Sequence, residues 1–387
     1  MRVGLLYPTR DALSPTNWSG TPHGLAGGLR DSGAEVVPVN ANLPIGIHQT
    51  VAVLSRIGGK RGAVADRTLV RQYSRNLFLT RHLAEVASGL DLVVAMGTEM
   101  YDLGSLSRPG LPIVTYDDGS LLQMWRNPDS DIRQSGFAER EVDLWIDRQR
   151  ASSRAATLCC VSTDWAARSF IEDYGVAPEQ VRAIGMGHRP RSAAPVERDW
   201  SAPRFLFIGV DWQRKNGASV LKAFSRVRAQ YPTARLDVVG KHPRIEAEGV
   251  VDYGYLPRED AASQRVLDGL FESATAFVLP SLFDPSPIAY LEAASAGLPV
   301  IATTEGGAGE LLGEAAISVR PHDLDEIVEA MLTLSDPGVA RSMGAKAVER
   351  AASSTWAGVA GRLLEAVADW RAAHPQPDAS KHAGVRR

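Results

Sequence analysis

Short uninterrupted apolar runs alternate with segments whose apolar residues recur at helical spacing, and the alternation continues through both halves of the chain. In the first half the runs are "RVGLLYP", "AEVVPV", "LDLVVAMG", "LPIVTY" and "ATLCCVS". They are rich in Val, Leu and Ile and lack polar alternation, which predicts strands covered on both faces. Between them "PHGLAGGLRDSG" and "TDWAARSFIEDYG" predict helices, the second with a cap at Thr163 and a glycine stop at Gly175. After "VRAIGMGHR" the stretch "PRSAAPVERDWSAP" is Pro- and Ala-rich, charged and aperiodic, which predicts a linker. A second series follows: "RFLFIGV", "ARLDVVG", "GVVDYGYL", "TAFVLPS", "LPVIATT" and "AAISV". The helix "GASVLKAFSRVRAQYP" lies between its first two members, with Val220, Leu221, Phe224 and Val227 on one face. Strand–helix alternation in both halves predicts an α/β protein of two doubly wound, Rossmann-like parallel-sheet domains facing a central cleft.

The expected divisions are a first domain over residues 1–190, a linker over 191–202 and a second domain over 203–354. An amphipathic helix over 355–373 is expected to pack back on the first domain, and the polar tail 374–387 to be disordered. Length agrees, since 387 residues exceed what one ordinary core organises. With 44% hydrophobic and 22% charged residues and a net charge of -3, the composition is globular and gives nucleic-acid binding no support. Cys159 and Cys160 are adjacent in an apolar run, which predicts core thiols. The N-terminal apolar run meets Pro8, Arg10 and Asp11 too soon for a signal peptide. No run approaches the roughly 18 apolar residues of a membrane span, so a cytoplasmic location is expected.

Two loops carry candidate chemistry. In "FIGVDWQRKNGASVLKAF" a strand ends at Gly209 and a helix begins near Gly217, with Arg214 and Lys215 in the loop between. Loops after strands in this topology hold phosphates, although a solvated basic pair in a turn reads the same way. In "TAFVLPSLFDPSPIAYLEAASAG" Asp284 sits in the loop and Glu292 about one turn into the following helix, after Pro287. The backbone N–H groups of Ile288, Ala289 and Tyr290 form a candidate anion site there. The two acids suit sugar and ribose hydroxyls, or else serve as a turn cap and a helix-dipole partner.

These residues resemble a retaining glycosyltransferase of family 4 with the GT-B fold, whose E-x(7)-E motif reads here from Asp284 to Glu292. "AYLEAASAGLPVIAT" and "EGGAGE" continue the resemblance, and "DWQRKNG" resembles the family's diphosphate-binding segment. In the first half "NWSGTPHGL" resembles the donor-phosphate loop, with Ser19, Gly20 and Thr21, so the match covers most of residues 1–310. It implies an acceptor-side first domain, a second domain holding a nucleotide-sugar donor (UDP- or GDP-linked), and no metal or other cofactor. Asp284 would then orient the donor sugar and Glu292 the ribose, with Ser286 and Pro287 beside them. Ser19, Gly20, Thr21, Arg214, Lys215, Ile288 and Ala289 would bind the diphosphate. The implied catalytic set is Asp118, Arg214, Lys215 and Asp284, and the implied reaction is retaining transfer to a hydroxyl of a small-molecule, glycan or lipid-linked acceptor.

Two departures stand out. Asp284 is one methylene shorter than the family's glutamate. Where many relatives carry a histidine, this chain reads Tyr116-Asp117-Asp118-Gly119, which makes Asp118 the candidate on the acceptor or donor-sugar side, while helix capping remains open. The other functional readings are a degenerate nucleotide-sugar-binding partner subunit without transfer activity and a GT-B sugar-nucleotide epimerase. The segment 56–81 holds seven basic residues (Arg56, Lys60, Arg61, Arg67, Arg71, Arg75, Arg81) against Asp66 alone. It suits peripheral contact with the inner face of an anionic membrane, or equally a solvated arginine-rich helix. "DSD" at 129–131 is placed in a polar loop and is not expected to bind metal, and His23 in the donor loop is a weaker phosphate candidate.

Overall fold

The computed structural model describes residues 1–41, 69–191 and 198–375. Two six-stranded sheets, parallel throughout, organise them, as the apolar runs predict. The first has the order β2-β1-β3-β4-β5-β6. Its strands are β1 (Arg2–Tyr7), β2 (Glu35–Asn40), β3 (Leu92–Ala95), β4 (Ile113–Asp117), β5 (Leu158–Val161) and β6 (Val181–Ala183). The second has the order β12-β11-β10-β7-β8-β9. It is built from β7 (Arg204–Gly209), β8 (Arg235–Gly240), β9 (Val250–Asp252), β10 (Ala276–Val278), β11 (Val300–Thr303) and β12 (Ala316–Val319). The edge strand β6 escapes the sequence pattern because it is three residues, Val-Arg-Ala, with one buried side chain.

Both sheets are sealed on both faces by helices, and every residue of β3, β4, β5, β10 and β11 is buried. Cys159 and Cys160 are buried, unpaired members of β5. The final helix, Trp356–Ala373, leaves the second domain and lays Val359, Ala360, Leu363 and Val367 against Val3, Leu5, Leu25 and Leu29 of the first. Its seat is the helix Thr21–Asp31, where Gly24 lies under the Trp356 indole and Gly28 under the Trp356 carbonyl. A Cβ on Gly28 would overlap that backbone. Gly28→Ala should therefore lower the thermal midpoint even though alanine favours a helix by about 1 kcal/mol, because overpacking costs about 1–3 kcal/mol or more where backbone cannot yield. A midpoint unchanged or raised in a thermal melt would show that the helix does not seat there.

The cleft lies between the carboxyl ends of the two sheets, where helix and loop residues of both domains line a cavity of about 560 Å³. Polar bridges cross its rim. Arg258 Nη1 donates to the Ser19 carbonyl at 2.8 Å, and Asn127 Nδ2 to Glu305 Oε2 at 3.2 Å. Glu310 accepts from the Trp165 N–H and from Arg168 Nη2, both at 2.7 Å.

Candidate active site

In the second sheet the order of strands reverses between β7 and β10. Such a switch point leaves a crevice at the carboxyl ends where ligands of open α/β sheets sit. The loops after β7 and β10 meet in it, joined by a 2.8 Å bond from the Leu282 N–H to the Arg214 carbonyl. Asp284 is only 6% exposed. Its Oδ2 is ion-paired with Lys215 Nζ and lies 3.5 Å from Arg214 Nη1, which also donates to the Phe283 carbonyl at 3.2 Å. Burial pulls the Lys215 ammonium below its ordinary range, the Asp284 carboxylate offsets this, and the neighbouring Arg214 reinforces it. One carboxylate is thus shared by two cations in a largely desolvated pocket.

The turn after β11 backs this arrangement. The Asp284 N–H bonds the Glu305 carbonyl at 3.3 Å, and Gly306, at φ +86°, sits where a Cβ would overlap the Asp284 carbonyl. The following helix, Ile288–Ser295, has Pro287 as its N-cap and no side-chain cap. Its first turn is anchored by Tyr290, whose hydroxyl donates to the Leu279 carbonyl at 2.7 Å and accepts the Thr303 N–H at 2.9 Å. The Tyr290 N–H bonds the Pro287 carbonyl at 3.1 Å, so of the three N–H groups expected to face an anion it is already spent. Ile288 and Ala289 line the cleft, as do Ser286 and Pro287, and the Ser286 hydroxyl is buried without a partner.

The opposite wall comes from the first domain. Trp18, Ser19 and Gly20 take consecutive left-handed conformations, with φ of +39°, +55° and +89°. For the two non-glycines this costs on the order of 1–3 kcal/mol each, a kind of strain that clusters at ligand sites. Ser19 and Thr21 line the cleft and Gly20 does not; the Thr21 hydroxyl is buried without a partner. Asp118, just past β4, lines the same cleft, and its Oδ2 accepts from Trp18 Nε1 at 3.1 Å. Burial pushes its carboxyl up to about 7; the Trp18 bond pulls it down, while Asp284 and then Asp131 push it further up. Asp118 and Asp284 both line the cleft, one from each domain. The neighbouring Asp117 accepts from Gln149 Nε2 at 3.1 Å through Oδ1, and its Oδ2 has no partner. Burial, with Glu99 adding to it, holds Asp117 well above the usual carboxylate range.

Glu292 departs from the expected grouping. It is buried, does not line the cleft with Ser286 and Pro287, and gives Oε1 to Arg191 Nη2 at 2.9 Å. His23 is turned to the Leu13 carbonyl at 3.0 Å, and Asp129 of the "DSD" loop contacts His322 Nε2 at 2.7 Å. Arg75 is buried, so it cannot belong to an outward basic face; Arg56, Lys60, Arg61 and Arg67 lie outside the described residues. No helix among the described residues is long and apolar enough to cross a membrane. The pattern missed Arg191 and Arg258, which stand in charged, aperiodic stretches, and it gave no role to Glu305 and Glu310 inside "EGGAGE".

Comparison with known proteins follows the same outline. Residues 202–336 match the family model described as glycosyl transferases group 1. An MMP alpha-(1->4)-mannosyltransferase of Mycolicibacterium hassiacum is 26% identical over 251 residues, 62% of this chain and 58% of its own length. A D-inositol 3-phosphate glycosyltransferase of Acidothermus cellulolyticus is 27% identical over 251 residues, 57% of this chain and 56% of its own. The chain thus spans about half the length of the curated relatives it matches. Among solved structures, sucrose-phosphate synthase from Thermosynechococcus elongatus superposes with a TM-score of 0.66 at 17% identity, covering 96% of this chain and all of that one. HepE from Anabaena, in complex with UDP and glucose, gives a TM-score of 0.62 at 14% identity over 95% of this chain and all of that one. Over residues 202–336 the protein therefore carries the sequence pattern of the group 1 glycosyltransferases, set within the GT-B fold.

Proposed function

We infer that the protein is a retaining glycosyltransferase that moves a sugar from a nucleoside diphosphate donor, UDP- or GDP-linked, to an acceptor hydroxyl without a metal ion. The observation that carries this reading is the buried Asp284 carboxylate shared by Lys215 and Arg214 at the switch point of the second sheet. A cavity of about 560 Å³ falls within the range of small-molecule sites, and it presents cations on one wall and Asp118 on the other.

Lys215 and Arg214 neutralise Asp284. A donor diphosphate brings its own negative charge to Lys215, Arg214 and the N–H groups of Ile288 and Ala289, with the Ser286 and Thr21 hydroxyls as unspent donors. Asp284, freed from part of its pairing, then accepts from hydroxyls of the donor sugar, and the ribose, extending past the lining of the cavity, meets Glu292 through Oε2, the oxygen that Arg191 leaves open. In the transfer step the acceptor oxygen bonds the anomeric carbon on the face the phosphate leaves, the carbon–phosphate oxygen bond breaks, and the acceptor proton passes to the departing diphosphate. Lys215, Arg214 and the helix N-terminus stabilise the charge that grows on that diphosphate, where preorganised donors count most. The products are a glycoside and a nucleoside diphosphate. The acceptor is a small molecule, a glycan or a lipid-linked sugar.

A thermal-shift screen with UDP, GDP and their sugars tests the reading. Ligand at a hundred times its dissociation constant should stabilise by about 2.7 kcal/mol, a readable rise in midpoint. Slow hydrolysis of the stabilising sugar nucleotide without acceptor supports a transferase. Tight binding with no turnover on any acceptor favours the degenerate subunit, release of an epimeric sugar nucleotide favours the epimerase, and no shift with any ligand overturns the reading.

A further inference from the structure

Glu292 is held from a direction the motif does not foretell. Its partner Arg191 lies eight residues past β6, where the chain leaves the first domain. The side chains of Arg191 and Glu292 are 5% and 8% exposed, and their contact is 2.9 Å. The remaining contacts of the guanidinium fix its plane. Nη1 donates to Gln264 Oε1 at 2.9 Å and to Asp268 Oδ1 at 3.2 Å, and the carbon centre lies 5.3 Å over the Phe271 ring. All three partners stand on the helix Ala261–Ser273 of the second domain. A forked guanidinium with this many restraints cannot swing away as a surface arginine does.

The same segment delivers a second group. His188 is buried, and its Nδ1 lies 2.6 Å from the Ser354 carbonyl, which can only accept; Nδ1 therefore carries the hydrogen. That leaves Nε2 as a buried acceptor without a partner. Burial holds this imidazole below its usual range, and the opposing fields of Glu292 and Arg191 both reach it. Segment 184–191 thus brings a fixed cation and a neutral acceptor to the flank of Glu292.

We propose that Arg191 is the positioning residue for ribose recognition: by occupying Glu292 Oε1 it fixes the carboxylate and leaves Oε2 to accept the ribose hydroxyl, and it ties that grip to the segment joining the two domains. The inference rests on the donor reading above, in which Glu292 meets the ribose. It assigns Arg191 no contact with the substrate. Removing it leaves a buried carboxylate free to rotate or to take up a proton.

Binding of UDP and GDP, each alongside its 2′,3′-dideoxy analogue, and of inorganic pyrophosphate tests this by calorimetry on the full chain. A hydrogen bond to a charged group corresponds to a preference of about ten- to a hundredfold. The unaltered protein should prefer one ribonucleotide over its dideoxy analogue by that factor. Arg191→Met should bring the preference to near unity while changing dideoxy and pyrophosphate affinity no more than about threefold. Arg191→Lys should restore part of it, and in a Glu292→Ala background Arg191→Met should change it no further. Where Arg191→Met fails to fold, Arg191→Lys and Asp268→Asn, which loosens the guanidinium from its other side, must each lower the preference. Equal weakening of ribo and dideoxy ligands, or an unchanged preference, overturns the role of Arg191 alone. Absence of any nucleotide binding by the unaltered protein overturns the donor reading and this inference with it.

Discussion

Lys215→Ala should lower kcat/KM for the donor by about a hundredfold or more, the scale seen when one preorganised donor to a developing anion is removed. The structure separates this loss from a folding defect. Lys215 is buried against Asp284, so its removal strips a carboxylate of its nearest partner. Breaking a buried pair costs on the order of 3–5 kcal/mol when nothing replaces the lost charge. Here Arg214 Nη1 stands 3.5 Å from the same oxygen and can close on it, so the stability cost should fall below that range. Pairing the change with Asp284→Asn removes the orphaned charge as well. The double variant should recover much of the melting temperature of Lys215→Ala and none of its activity. Thermal melts and steady-state kinetics on the three variants settle the matter. A Lys215→Ala enzyme within tenfold of the parent would mean that the leaving diphosphate is not stabilised there.

That pair also explains the departure that the motif exposes. A shortened acid reads from the sequence as a carboxylate withdrawn from the donor. In the structure the short side chain lets Asp284 lie directly against Lys215 while its carbonyl is packed against Gly306, at φ +86°. Such a contact is invisible in one dimension because it joins residues about seventy positions apart, brought together by the strand order of the second sheet.

The readable features share a physical cause. Strands covered on both faces must be apolar throughout, so β3, β4, β5, β10 and β11 declare themselves as uninterrupted runs, whereas the edge strand β6, three residues with one buried side chain, does not. Arg214, Lys215, Asp284, Ser286 and Pro287 were legible because a strand end and a helix start bracket each loop, and the switch point then brings the two loops together. Arg191, Arg258 and Glu310 follow no such rule. Each works through a contact between elements far apart in the chain, which no local pattern of residues records. Glu292 shows the limit from the other side. Its place in the motif was plain, but its ion pair depends on where segment 184–191 enters the second domain.

Acid should silence the proposed transfer through Asp118. Its carboxyl is raised to about 7, so it holds its proton below that pH and is ionised above it. Burial is the main cause, and Asp284 and Asp131 add repulsion. In the proposed transfer the ionised form is the useful one, because it accepts from a sugar or acceptor hydroxyl and faces positive charge growing at the anomeric carbon. The sign follows: kcat/KM, which reports groups of the free enzyme, should fall with a slope that approaches tenfold per pH unit well below 7, or about fiftyfold between pH 7 and 5. Asp118→Asn should be slow and flat across the interval, and a limb that persists in it would assign the ionisation elsewhere. Trp18→Phe gives the finer test. The indole Nε1–H, 3.1 Å from Asp118 Oδ2, stabilises the anion, so its loss should move the limb to higher pH. A limb that stays in place after that change would mean that the titrating group is not bonded to Trp18, and Asp118 would lose its role in the proton inventory of the cleft.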